Sequence, residues 1–257
     1  MKVSLQREAV LHVLKPCEGR GSMSPLGTPN DYAPQRLWTR HSMGRLLVIM
    51  DLPVNRRPAV FLDRDGTVIV EKHFLSRPDE VELLPSAGES IARLNSLGVV
   101  VVVVTNQSGV ARGYFAERCV AEIHSRLDEL LAGCGARVDR YEYCPHHPTD
   151  GIGEYRIDCD CRKPRPGMLT RAAAVLNVDL SRSLMVGDRL ADLEAGTNAG
   201  CHSALVRTGY GRAVVLDFDA DALRFLGAFE SLGEAVETWL RRSPDGPATT
   251  AVDANRS

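Results

Sequence analysis

The sequence predicts an α/β protein: a three-layer, Rossmann-like parallel sheet with helices on both faces. Three observations carry this expectation. Apolar strand-like runs alternate with stretches of helical spacing from about residue 56 to residue 241, and such alternation calls for right-handed crossovers and a parallel sheet. One run, Val99–Val104, is six consecutive valines, apolar and β-branched on both faces, as a strand covered by helices on both sides requires. Four polar clusters fall just past strand-like runs: Asp63-Arg64-Asp65-Gly66-Thr67, Thr105-Asn106-Gln107-Ser108, Cys144-Pro145-His146 and Gly187-Asp188. In open parallel sheets that is where ligands bind.

Taken in order, residues 1–55 show no sustained periodicity and are punctuated by Gly19, Gly21, Pro25, Gly27, Pro29 and Pro34. They are expected to form a poorly ordered extension, with Met43 or Met50 as alternative starts. Pro58–Leu62 reads as a strand ending at Asp63. Ser86–Leu97 places Ile91, Leu94 and Leu97 at helical spacing, and Gly98 follows as a stop. After the valine strand come a helix over 116–131, a short strand over 140–143 and a helix over 166–176. A strand over 183–186, a helix over 191–199 and a last strand over 203–206 complete the pattern. From about Ser243 the chain is Pro, Ala, Thr and Asp without an apolar face, so residues 242–257 read as a solvated tail. With no repeat and no second core, one domain over 56–241 is expected.

Composition excludes several functions. Lys and Arg total 31 against 33 Asp and Glu, a net charge of −2, which lacks the basic excess of a nucleic-acid binder. No stretch approaches the ~18–20 apolar residues that span a bilayer, and Met1–Lys15 has no continuous apolar core of the secretory kind. A cytoplasmic monomer with neither nucleic-acid nor membrane partner is expected. The cysteines number seven, an odd count that does not suit a secreted disulfide framework.

Asp63 and Asp65 stand two apart beyond a strand, with Gly66 permitting a tight turn. Two carboxylates so close repel, so a cation is expected beside them, and Mg²⁺ suits oxygen ligands and phosphate. One aspartate can attack a phosphoryl group and the other can shuttle the proton. Alone, Asp-x-Asp-Gly is equally the solvated turn that follows many strands. Its context favours phosphoryl chemistry: the Thr105 hydroxyl and Asn106 amide for phosphate oxygens, Lys163 for charge, Arg162 as a fork for a second anion, and Asp188 to complete a metal site.

Cys144-x-His146 and Cys159-x-Cys161 make three thiolates and an imidazole, a closed tetrahedral zinc set. Cys119, Cys134 and Cys201 have no ligand-like neighbours and read as small apolar fillers. His147 is phased away from the zinc set and is expected to face solvent.

Phe61-Leu62-Asp63-Arg64-Asp65-Gly66-Thr67-Val68 resembles the first motif of the haloacid dehalogenase-like (HAD) phosphatases. Thr105-Asn106 is similar to their second motif, Lys163 to the third, and Gly187-Asp188 with Asp192 to the fourth. The runs from Thr105 to Gly113, from Cys144 to Pro148 and from Cys159 to Pro164 narrow the resemblance to the small phosphatases that remove the 7-phosphate of D-glycero-D-manno-heptose 1,7-bisphosphate. The resemblance implies Asp63 as nucleophile and Asp65 as acid/base. It implies Mg²⁺ on Asp63, Asp188 and the Asp65 carbonyl, and phosphoryl stabilisation by Thr105 and Lys163. It also implies a sugar bisphosphate substrate, chosen in part by Arg162, and no large cap domain; Asn106, Gln107, Ser108 and Arg189 are expected to contact the substrate, and four protein ligands leave the zinc a structural part.

Two positions depart from that pattern. Glu71-Lys72-His73-Phe74, expected beside the sugar, replaces a segment that usually reads like Asp-His-Gly-Tyr, and Arg189 replaces a lysine. Histidinol-phosphate phosphatases share the zinc loop but tend to read Thr-Asn-Gln-Asp-Gly where this chain has Ser108. A zinc-stabilised sugar-phosphate-binding module without catalysis is the reading outside hydrolysis.

Overall fold

The computed structural model describes residues 56–242, apart from 216, 218 and 220–223. The expected N-terminal extension, with Cys17, and the tail beyond Arg242 lie outside the described residues. Six strands form one sheet: β1 (Ala59–Leu62), β2 (Val100–Asn106), β3 (Arg140–Cys144), β4 (Leu184–Gly187), β5 (His202–Val206) and β6 (Phe225–Phe229). Every pairing is parallel, in the order β3-β2-β1-β4-β5-β6. The helices are α1 (Ala87–Ser96), α2 (Ser108–Ala111), α3 (Glu117–Gly133), α4 (Gly167–Leu176), α5 (Leu190–Ala199) and α6 (Leu232–Arg242).

Strand alternation sorts the core into two apolar layers, one on each face of the sheet. Val60 and Leu62 of β1 pack with Ile91 and Leu94 of α1, Ile123 and Leu127 of α3, and Val236 and Trp239 of α6. Ala59 and Phe61 turn the other way, onto Met168 and Leu169 of α4 and Ala195 of α5. The valine run serves both layers, with Val101 on the first face and Val100, Val102 and Val104 on the second. This two-sided burial is why β2 carries no polar alternation.

Two expectations are corrected. The strand at 203–206 is not the last, because β6 pairs with β5 and α6 covers it. Cys134 is exposed at the C-terminal cap of α3 rather than a core filler, whereas Cys119 and Cys201 are buried. The single-turn helix α2 was also unforeseen; it follows directly on the polar end of β2.

The strand order reverses direction at β1, which lies between β2 and β4. Parallel strands deliver their C-terminal ends to one side of the sheet, and a crevice opens at such a reversal. Asp63, Thr105 and Asp188 leave β1, β2 and β4 on that side.

Candidate active site

A cavity of about 400 Å³ lies over these strand ends, lined among others by Asp63, Asp65, Thr105, Asn106, Lys163 and Asp192. Lys163 sits at its floor, 5% exposed. Its Nζ lies 2.6 Å from Asp63 Oδ1 and 2.7 Å from Asp192 Oδ1, and donates to the carbonyl of Val104 at 2.7 Å. Burial alone would lower the Lys163 pKa; the charges of Asp192 and Asp63 outweigh it and hold the ammonium above its ordinary value. Asp63 is pushed well above the carboxylate range by burial, against the pull of Lys163 and with the push of Asp192, Asp188 and Asp65. The carboxylates crowded around one ammonium push both groups upward, against burial on Lys163 and second to burial on Asp63.

Asp63, Asp188 and Asp192 bring carboxylate oxygens within 4.8 Å of one another. Both oxygens of Asp192 are engaged, Oδ1 with Lys163 and Oδ2 accepting from the Arg189 backbone N–H at 3.0 Å. Asp188 differs. Its Oδ2 accepts from the Tyr210 N–H at 2.8 Å, but among the described residues nothing donates a hydrogen bond to the buried Oδ1. Burial, together with the Asp192 charge, raises Asp188 to about 6. A buried acceptor without a donor, beside a repelling carboxylate, fits a divalent cation. Gly66 has φ +85°, and a Cβ there would stand 2.3 Å from Asp188 Oδ2. Only glycine lets the first loop pass so close.

The Asp65 carboxylate lies beside this floor, held by Arg64, by Gln107 Nε2 at 2.9 Å and by Thr105 Oγ1 at 3.5 Å. Gln107 Nε2 also donates to Thr105 Oγ1 at 2.9 Å. Behind Arg64, burial first and the Arg64 charge second bring His124 down to about 3, so the ring is neutral at physiological pH.

Of the other residues anticipated at the site, Glu71, His73, Phe74, Gln107, Ser108, Arg162 and Arg189 line the cavity. Lys72 does not. His73 and Phe74 both take left-handed φ values, 47° and 37°, and Lys72 points away, donating to the Glu80 carbonyl at 2.8 Å and facing Glu82 at 3.3 Å. Asn106 lines the cavity, yet its amide is engaged on both sides with the Lys163 backbone, at 3.0 and 3.1 Å. It holds the lysine loop instead of offering a free phosphate donor. His147 is not solvent-facing: its side chain is 17% exposed, lines the cavity and accepts from the Asp150 N–H.

Among the cavity residues that sequence reasoning did not single out, Arg112 and Tyr210 carry polar contacts. Arg112 pairs with Asp150 across the rim. Tyr210 follows β5, stacks under the Arg189 guanidinium at 3.7 Å and meets His73 Nδ1 through its hydroxyl at 2.7 Å. Asp192 was read as part of the fourth motif but not as the partner of Lys163.

A second cluster lies at the rim. Cys144, His146, Cys159 and Cys161 bring their ligand atoms within 4.8 Å of one another. Separations include 3.5 Å for Cys144–Cys159, 3.2 Å for Cys159–Cys161 and 3.5 Å for Cys161 Sγ to His146 Nδ1. Tetrahedral zinc at usual bond lengths sets ligand atoms about 3.5–3.8 Å apart, so the set fits zinc. The Cys144 thiol chiefly draws Cys161 down to about 5, toward the thiolate that a metal needs. Arg162 and Lys163 follow Cys161 directly, and Arg162 Nη1 donates back to the His146 carbonyl at 3.1 Å.

A parallel sheet with aspartates just past its central strands, a buried lysine and a cavity at the strand ends fits a HAD-type hydrolase, and residues 160–234 match the HAD-hydrolase-like family. The chain is 44% identical over 154 residues to the D-glycero-beta-D-manno-heptose-1,7-bisphosphate 7-phosphatase of Pasteurella multocida, an alignment covering 60% of this chain and 83% of the relative. The Escherichia coli K12 protein of the same name is 43% identical, with 59% and 80% covered. The crystal structure of D,D-heptose 1.7-bisphosphate phosphatase from B. bronchiseptica, complexed with magnesium and phosphate, superposes with a TM-score of 0.63 at 38% identity, covering 72% of this chain and 98% of that one. The chain belongs to the D-glycero-β-D-manno-heptose-1,7-bisphosphate 7-phosphatase family. Among the described residues no helix is long and apolar enough to cross a membrane.

Proposed function

We propose that this enzyme hydrolyses the 7-phosphate of D-glycero-β-D-manno-heptose 1,7-bisphosphate, leaving the 1-phosphate in place. The observation that carries the reading is Lys163, buried against Asp63 at the floor of a cavity whose walls present further cations. Asp63 attacks phosphorus; the Asp63–phosphorus bond forms as the bond to the sugar oxygen breaks. Asp65 gives that departing oxygen a proton. It then takes a proton from the water that attacks phosphorus, and phosphate leaves as the bond to Asp63 breaks. Lys163 and Thr105 balance charge on the phosphoryl oxygens, while Asn106 and Asp192 hold Lys163 in place.

Mg²⁺ would be held by Asp63, Asp188 and the Asp65 backbone carbonyl, and supplies charge that offsets the phosphoryl oxygens. Arg162 and Arg112, on the same cavity, suit the second phosphate, and Arg189 with Tyr210 borders the sugar. A thiolate metal set suits a reducing compartment, and the reading is completed by a cytoplasmic, monomeric enzyme.

Phosphate release from the α and β anomers of the bisphosphate and from histidinol phosphate, each with and without Mg²⁺, tests this. The β anomer should be turned over fastest, and only with Mg²⁺. Preference for histidinol phosphate would replace the reading.

Zinc bound by Cys144, His146, Cys159 and Cys161 is structural, since four protein ligands leave no position for chemistry. Its effect on catalysis runs through the two residues after Cys161. Cys161→Ala should lose zinc in metal analysis, melt earlier and lose about 10²-fold in activity despite excess Mg²⁺, as a misplacement of ~1 Å near the chemistry does. Unchanged activity and melting would break the link between zinc and Lys163.

A further inference from the structure

The chemistry above makes no use of a buried cation beside it. Arg64 stands between the two site aspartates in sequence, yet it is 0% exposed and heads the large side chains that are fully buried. A buried charge persists only when paired and hydrogen-bonded. Its Nη2 donates to both oxygens of Asp65, at 3.1 and 2.9 Å, and its Nε donates to Oδ2 at 3.2 Å. Its Nη1 faces His124 Nε2 at 3.4 Å. The His124 ring is itself fixed, stacked on Tyr141 with centroids 4.3 Å apart and planes 15° from parallel. Gln107 and Thr105, from the end of β2, also reach Oδ2. The Asp65 carboxylate is thus held by groups from two segments, Arg64 alone reaches both of its oxygens, and that guanidinium has no surface from which to reach a ligand.

We infer that Arg64, braced by His124, is a positioning residue for proton transfer: it fixes the direction in which Asp65 presents its carboxyl group to the departing sugar oxygen. The inference rests on Asp65 as the acid/base. The planar fork matters, because two parallel donors define an orientation that a single ammonium does not. The step it serves moves one proton from Asp65 to the oxygen whose bond to phosphorus is breaking, while Asp63 forms the new bond. A leaving group stable as an anion needs no such proton, so its departure is indifferent to how Asp65 is aimed.

That difference is the test. With the full-length, Mg²⁺-loaded enzyme, rapid quench measures single-turnover release of heptose 1-phosphate, and the burst of 4-nitrophenolate from 4-nitrophenyl phosphate reports formation of the aspartyl-phosphate alone. Arg64→Met should slow the sugar substrate about 10²-fold, the scale of general acid catalysis, and the aryl substrate less than about threefold. Arg64→Lys should fall between wild type and Arg64→Met on the sugar substrate; it carries the test if the methionine variant does not fold. Equal losses on both substrates would show a merely structural role and overturn the inference, as would no loss on either. Asp65→Asn separates the inference from its premise. If it discriminates between leaving groups and the Arg64 variants do not, only the inference falls. If Asp65→Asn fails to discriminate, Asp65 is not the acid and both fall.

Discussion

Asp63→Asn eliminates turnover of the heptose bisphosphate, by about 10⁴-fold or more, the scale seen when a nucleophile is removed, while the protein melts at a higher temperature without metal. The two outcomes share one cause. The folded-state pKa of Asp63 lies above its ordinary value, chiefly through burial. A carboxyl group with a raised folded pKa opposes folding when ionised, at pH values above both its unfolded and folded pKa. A neutral amide removes that burden, and Lys163 keeps Asp192 as its partner. Steady-state phosphate release and a thermal melt of the metal-free variant check both halves. Residual turnover above that level, or a lower melting temperature, would contradict the nucleophile or the charge balance respectively.

Lys163→Met costs both activity and stability. It strips the floor of its cation and leaves Asp63 and Asp192 buried without one. Removing one partner of a buried pair costs about 3–5 kcal/mol, which for a domain of this size lowers the melting temperature by about 10 °C. Activity should fall about 10²–10³-fold, the loss that follows removal of one group stabilising transition-state charge. A calorimetric scan without Mg²⁺ isolates the stability term. A melting temperature within a degree of wild type would mean that the lysine does not hold this centre together.

The residues whose place at the cavity is set by their immediate neighbours in sequence were readable from it, and those placed by distant contacts were not. Asp63 and Asp188 directly follow strands, Thr105 ends the valine strand and Lys163 stands two residues past a metal-ligand pair, so their convergence was expected from the carboxyl ends of parallel strands. Strand β6 carries no period-two signal because Phe225-Leu-Gly-Ala-Phe229 has only apolar residues and glycine, without the polar alternation of a half-buried strand, and Gly227 at φ 147° interrupts it. Lys72 looked like its neighbours in a loop bound for the sugar, but the left-handed turn at His73 and Phe74 sends it to Glu80. Tyr210 lies in a loop with no motif, and its partners His73 and Arg189 come from two other loops. Arg64 is the sharpest case. Sequence habit places arginine at the surface, and only its pairing with the adjacent Asp65 explains its burial.

The central placement of β1 also sets an order of events during synthesis. Asp63 leaves the ribosome with the first strand, but Lys163 is translated 100 residues later. The loop that closes against Gly66 through Thr208 arrives 142 residues behind it. Until the loop that carries Lys163 docks against Asn106 and Val104 at the end of β2, the nascent chain holds Asp63 without its cation, and until β4 follows it lacks Asp188 as well. A polypeptide halted between Gly113 and Lys163 would carry at most three of the six described strands and no partial phosphatase. Sugar phosphates in the cell therefore meet this chemistry only after almost the whole domain has emerged.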